Sequence, residues 1–232
     1  MNDKKFLCGF TLAEILITLG IIGVVAALTI PTLIANINAN KFRSQFKKTI
    51  STISNAARMS QAQYGFDFAV KGATYQDTKY AQASPEEETS PWALFNGTLS
   101  GFTYSSNSYS GVTRTLVSHI EDDNFVYQLS DGSLFTFTPG LSIGDCHMEP
   151  GEQGKDMWQC YGVIDVNGYS LPNKEATCSD GTDTMFVWDE NYQDCVVKND
   201  ANHMTDIYPV FYHDSIVEPA TNAAKYVLNT AK

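Results

Sequence analysis

The chain holds 232 residues and 25.6 kDa, 43% hydrophobic and 12% aromatic, with 16 Gly and 8 Pro; that is enough apolar material for a core, and it excludes disordered, collagen-like and low-complexity polymers. Against 15 Lys and Arg stand 26 Asp and Glu, a net charge of −11, which opposes any function that needs a broad basic surface for nucleic-acid phosphates. The mean hydropathy of −0.19 averages two unlike parts, a strongly apolar N-terminal stretch and an ordinary remainder.

The first element decides the class. From Ile15 to Ala35 there is no charged residue, and the only polar side chains are Thr18, Thr29 and Thr32. A run of roughly 20 apolar residues spans a bilayer. Lys4 and Lys5 precede it, and the positive-inside bias keeps them cytoplasmic, leaving the rest of the chain outside. A cleaved secretory signal would have a shorter apolar region followed by a small-residue site. Helical register then continues: Phe42, Phe46, Ile50, Ile53 and Ala57 form an apolar stripe, with Lys41, Arg43, Lys47, Lys48 and Arg58 between them. Read to about Tyr64, just before Gly65, the helix has some 55 residues and, at about 1.5 Å each, runs roughly 80 Å. Its first half suits lipid and its second half a folded domain.

Two residues conflict with a plain anchor. Glu14 sits at the edge of the apolar run, where a carboxylate costs about 2.5 kcal/mol or more towards the bilayer centre unless it finds a partner. Pro31 removes a backbone hydrogen bond, and with Gly20 and Gly23 it marks a segment expected to kink or unwind.

Gly9-Phe10-Thr11-Leu12-Ala13-Glu14, followed by Ile-Leu-Ile-Thr-Leu-Gly-Ile-Ile-Gly-Val-Val-Ala-Ala-Leu-Thr-Ile-Pro, resembles the class III signal of type IV prepilins and type II secretion pseudopilins. The likeness covers roughly Lys4 to Ala35, with Cys8 where Lys or Arg is commoner and Ala13 in place of a larger aliphatic residue. It implies that a membrane aspartyl peptidase, the prepilin peptidase, cuts between Gly9 and Phe10 and methylates the Phe10 amine. It also implies that Glu14 governs assembly. Cleavage creates an ammonium on Phe10, and Glu14 of one subunit can pair with the Phe10 amine of its neighbour inside an apolar bundle.

Four segments follow from this reading: 1–9 a cleaved cytoplasmic leader, 10–35 the transmembrane half of the stem, 36–64 its amphipathic half, and 65–232 an extracytoplasmic globular domain. From Gly65 to Pro91 the chain is polar and turn-rich, a helix-to-sheet connection with a short helix start at Ser84-Pro85-Glu86-Glu87. Gly101 to Gly111 reads as an exposed Tyr/Ser/Asn loop. Phe125 to Leu129 and Leu134 to Thr138 flank Asp131-Gly132 and read as a β-hairpin. Further strands are expected at Trp158 to Val166 and Thr184 to Trp188, with Cys195 to Lys198 another candidate, and a short C-terminal helix is expected to start at Pro219. The fold class is α+β: a long helix covering an antiparallel sheet, as in pilins.

Of five cysteines, Cys8 lies in the leader, and Cys146, Cys160, Cys178 and Cys195 form an even set outside the membrane, where disulfides are the natural reading. Short loops favour Cys146 with Cys160 and Cys178 with Cys195; a bridge from Cys146 to Cys195 stays open. Zinc fits poorly, because no Cys-x-x-Cys pair exists and only His147 adjoins a cysteine. Asp165 and Asn167, with Asp183 near in sequence, are the candidate calcium oxygens, set against an Asx turn that ends a strand. No other cofactor is expected.

His119, His147, His203 and His213 are scattered, and there is neither a Gly-x-Ser-x-Gly elbow nor a Gly-rich phosphate loop. The expectation is therefore a non-enzymatic filament subunit. It would be held in the bacterial inner membrane and then drawn into an extracytoplasmic filament, with the peptidase, other pilin-like subunits, the inner-membrane assembly platform and lipid as partners. The alternative is an extracellular binding or enzymatic domain that uses the stem only as a tether.

Overall fold

The computed structural model describes residues 10–65, 67–69, 73–74, 95, 98–105, 125–137, 142–143, 146–149, 160–179, 195–198, 200 and 203–231. Helix α1 runs Leu12–Tyr64, 53 residues, about 80 Å at 1.5 Å per residue. Thr11 caps its start: the Thr11 side chain accepts from the Glu14 backbone while Glu14 reaches back to the Thr11 N–H, so two orphan donors are satisfied reciprocally. Gly65 ends it in the left-handed conformation, φ 78°, which only a residue without Cβ adopts cheaply. The chain stays helical through Gly20, Gly23 and Pro31, so the unwinding expected there is not what these residues do in the single chain.

Among the described residues there are eight strands, β1 (Ala73–Thr74), β2 (Thr103–Ser105), β3 (Phe125–Gln128), β4 (Leu134–Phe137), β5 (Ser142–Ile143), β6 (Tyr161–Asp165), β7 (Ile207–His213) and β8 (Ile216–Pro219). Six of them form one antiparallel sheet in the order β2-β3-β4-β6-β7-β8, and β1 pairs with β5 separately. The expected hairpin is present in register, with Gln128 opposite Leu134 and Phe125 opposite Phe137. Its turn holds Gly132 at φ 88°, and Asp131 Oδ1 accepts from the Ser133 N–H at 3.2 Å.

All five positions of the apolar stripe are buried: Phe42, Phe46, Ile50, Ile53 and Ala57 join one core cluster with Tyr127, Phe135, Ile164, Tyr208, Val210 and Tyr212 from the sheet. Phe46 stacks on Tyr208, ring centroids 4.2 Å apart. The lower half of the stem is thus part of the sheet's own core rather than a spacer beneath it.

Five expectations need correction, the first being that the segment read as an exposed loop, Gly101 to Gly111, contains strand β2, Thr103–Ser105, which pairs with β3. Arg43, placed with the polar face, is buried; its guanidinium donates to the Val197 carbonyl at 2.9 Å and the Thr230 hydroxyl at 3.2 Å, and it lies over the Tyr226 ring. Residues 195–198 accordingly form no strand: besides those bonds to Arg43, the segment is tied to Ser179, whose N–H donates to the Val196 carbonyl at 2.9 Å. The C-terminal helix, α2 (Asn222–Thr230), begins after Pro219, with Thr221 as its cap accepting from the Ala224 N–H; Pro219 instead ends edge strand β8, where a missing donor is tolerated. Last, the strand expected over Trp158 to Val166 is present as Tyr161–Asp165, with Cys160 and Val166 outside it, while Trp158 and Gln159 lie outside the described residues.

Strand β7, buried along its whole length, is absent from the sequence reading, and it contains Pro209. The Pro209 carbonyl accepts from the Ala220 N–H at 3.0 Å, and a residue's N–H and C=O point the same way in a strand, so the missing donor falls just past the end of β8. Beside it, Gly162 of β6 leaves no room for a Cβ, which would collide with the Thr136 backbone carbonyl and the Tyr212 ring. The Thr184 to Trp188 strand and the Ser84 helix start lie outside the described residues.

Candidate functional site

The head of the stem is the first candidate. From Phe10 to Ile37 the large apolar side chains are exposed, Phe10 by 83% and Leu28 by 71%, and α1 is long and apolar enough to cross a membrane. A soluble monomer does not leave so long an apolar rod bare. Its polar atoms are self-satisfied: the hydroxyls of Thr18, Thr29 and Thr32 donate to the carbonyls of Ile15, Val25 and Thr29, each at 2.9 Å, which suits an environment without water. Adding a Cβ at Gly20 or Gly23 would meet nothing within 4 Å, so no close approach within the chain explains these glycines.

At the top of this rod Glu14 Oε2 accepts from both the backbone N–H and the hydroxyl of Thr11, each at 2.8 Å. Within one chain the carboxylate therefore has a neutral partner, although the sequence reading asked for a cation. The signal for Thr11 was present as Thr-x-x-Glu ahead of an apolar run. Gly9, the other half of the expected peptidase junction, lies outside the described residues, and Phe10 directly precedes the cap.

The four cysteines of the sheet domain pair as Cys146–Cys160 and Cys178–Cys195, with Cα–Cα separations of 5.7 and 5.2 Å. Both bridges are buried, and paired cysteines beside a helix long and apolar enough to cross a membrane suggest an oxidising, extracytoplasmic compartment for the sheet domain. Alkylation of the unreduced protein is expected to label none of these four residues, and reduction to lower unfolding stability by about 2–5 kcal/mol per bridge. Mass mapping of the labelled peptides and denaturant titration read the two outcomes.

Asp165 is buried at the end of β6, and its Oδ1 accepts from the Asn167 N–H at 3.1 Å. That is the Asx turn. The Asn167 amide donates to the Leu171 carbonyl at 3.0 Å, Asp183 lies outside the described residues, and among the described residues no three His, Cys, Asp or Glu side chains form a ligand set.

Sequence reading missed a charged cluster at the β7–β8 turn. His147 places Nδ1 2.6 Å from Asp214 Oδ1 and Nε2 3.0 Å from Glu149 Oε1, while buried His213 meets Asp214 Oδ2 through Nδ1 at 3.0 Å. The Asp214 N–H also donates to the Cys146 carbonyl at 2.8 Å, so one carboxylate ties the turn to the disulfide segment. Hydrogen bonds from Asp214 and then Glu149 hold His147 above its ordinary 6.5. Burial lowers His213, but the Glu218 carboxylate 3.7 Å from its Nε2 and the hydrogen bond to Asp214 outweigh it and leave it raised. Burial raises Asp214, but His213 and His147 pull it below 3.8.

A raised histidine stabilises fully below 6.5 and loses that contribution as pH climbs through its folded value; the lowered Asp214 contributes above 3.8 and fails as pH falls. The unfolding midpoint is therefore expected to drop between pH of about 5.5 and 8. Asp214→Asn should flatten most of that slope, since Asn keeps the left-handed φ of 46° without the charge. Thermal unfolding at a series of pH values reads it, and an unchanged slope in the variant would refute the linkage.

His203 meets Asp200 at 2.7 Å within one turn of chain, and His119 lies outside the described residues. No protein-family model, curated protein or solved structure matches this chain.

Proposed function

We propose that this chain is a structural subunit of the pilin or pseudopilin kind, processed at Gly9-Phe10 and assembled through its apolar stem into an extracytoplasmic filament. The observation that carries the reading is the single helix, Leu12–Tyr64, whose lower half is built into the core of a sheet domain while its upper half is bare and apolar with Glu14 at its head. A tether needs only a spanning segment. Here the span and the domain form one continuous helix, so a force or a lateral contact on the stem is transmitted directly to the sheet.

Side-by-side packing of such stems buries the bare surface, and Glu14 then faces the new ammonium of a neighbour's Phe10. The reading places the monomer in the bacterial inner membrane, with the prepilin peptidase and an assembly platform as its processing partners. Mass spectrometry of membrane-extracted protein tests it. The expected product starts at Phe10 with a methylated amine and carries 13 Lys and Arg against 25 Asp and Glu, since Asp3, Lys4 and Lys5 leave with the leader. An intact Met1 terminus in a strain that has the peptidase would overturn it.

The Thr11–Glu14 capping box supports a second reading, in which Glu14 serves only to start the helix and the stem is a tether.

A further inference from the structure

Charge is divided sharply along this chain. Residues 36–64 hold five Lys and Arg and no acid, whereas residues 65–232 hold 8 Lys and Arg against 24 Asp and Glu, a net of −16. The structure sorts the five cations by use. Arg43 is buried and spent on carbonyls and Tyr226. Lys48 pairs with Asp131 at 2.8 Å, and Lys47 Nζ reaches the Ala231 carbonyl at 3.5 Å. Lys41 and Arg58 are exposed and join no ion pair among the described residues. Lys41, Lys47, Lys48 and Arg58 together mark out the solvent arc of the lower stem, whose other residues are uncharged.

We infer that this basic arc docks against the acidic sheet domain of a second copy of the chain. The inference rests on the subunit reading above. Once stems pack side by side, domains of net −16 are crowded together and repel one another, and so do the basic arcs if they meet. Seating each arc against a neighbour's acidic domain removes both costs at once, and complementary potentials also fix register and speed docking. The occupant is a second copy because residues 65–232 carry the matching charge, in threefold excess of acid over base, while within the chain Lys41 and Arg58 join no ion pair among the described residues. Anionic lipid headgroups are the rival occupant, since the arc begins only a few residues beyond the span.

The test uses the full chain in membranes, as wild type and as the K41E/R58E variant, with heavy- and light-isotope copies mixed and a zero-length carbodiimide joining lysine amines to carboxylates. Both replaced side chains are exposed, so unfolding midpoints should match, and insertion and leader removal should be unchanged. The expected result is cross-linked heavy–light peptides joining Lys41, Lys47 or Lys48 to carboxylates of residues 65–232 in wild type. Oligomer yield should fall at least about tenfold in the variant, and wild-type yield should fall with rising salt. Wild-type oligomers with an equally assembling variant overturn this inference alone. Oligomers whose yield follows anionic lipid content, with no cross-link between copies, overturn it in favour of headgroups. A wild type that never oligomerises overturns the subunit reading and this inference with it.

Discussion

Glu14→Gln is expected to insert and be processed normally but to enter filaments at least about a hundredfold less well, because a neighbour's Phe10 ammonium would then sit in an apolar bundle without its counter-charge, a loss of about 3–5 kcal/mol. Insertion is spared since removing a charge makes the span more apolar. Gln is also a competent capping-box residue, so the bonds from Glu14 to Thr11 at 2.8 Å should be largely retained and helix nucleation left alone. Thr11→Ala makes the complementary change: it breaks the box, costs about 1 kcal/mol of helix start, and keeps the carboxylate. The measurement is the ratio of sheared or cross-linked filament to membrane monomer at equal expression. A defect in Glu14→Gln with near-normal Thr11→Ala means that charge is what matters. The reverse, or equal mild defects, means that Glu14 only caps the helix and that the tether reading holds.

Phe46→Ala is expected to destabilise the folded domain by about 3–5 kcal/mol, the cost of emptying a large aromatic site from a packed core. Phe46 is fully buried between helix and sheet and stacks on Tyr208 at 4.2 Å, so the substitution removes both transfer free energy and an aromatic pair worth about 0.5–1.5 kcal/mol. Ile21→Ala, on the same helix but 61% exposed, should leave the domain's unfolding free energy within about 0.5 kcal/mol of wild type. Denaturant unfolding in a mild detergent, followed through the domain's aromatic signal, compares the two. Equal effects would mean that the stem and sheet unfold separately and that the lower stem is not part of the domain core.

Much of this architecture is local and therefore legible in the chain. The stem's extent followed from an uninterrupted apolar run, a stripe at helical spacing and Gly65, and its observed end at Tyr64 agrees. The β3–β4 hairpin followed from alternation around Asp131-Gly132, a turn whose geometry depends on only a few residues. The head of the stem could also have been read further, because Thr11 and Glu14 are a capping pair three residues apart.

Those features are determined by the sequence itself, because backbone sterics, side-chain period and hydrophobic transfer act within a few turns of the residues concerned. The tertiary structure decided the rest. Arg43 has the same local pattern as Lys47, yet it is buried because carbonyls at 197 and 198, the Thr230 hydroxyl and the Tyr226 ring converge on it from distant segments. Pro209 lacks a ladder donor, and β7 forms nonetheless because that missing donor falls where β8 has ended. Choosing between disulfide pairings, and gathering His147, His213 and Asp214 from positions up to 67 residues apart, required the sheet to bring β7 and β8 back beside Cys146. Such contacts depend on where the folded chain returns, and no local rule encodes that.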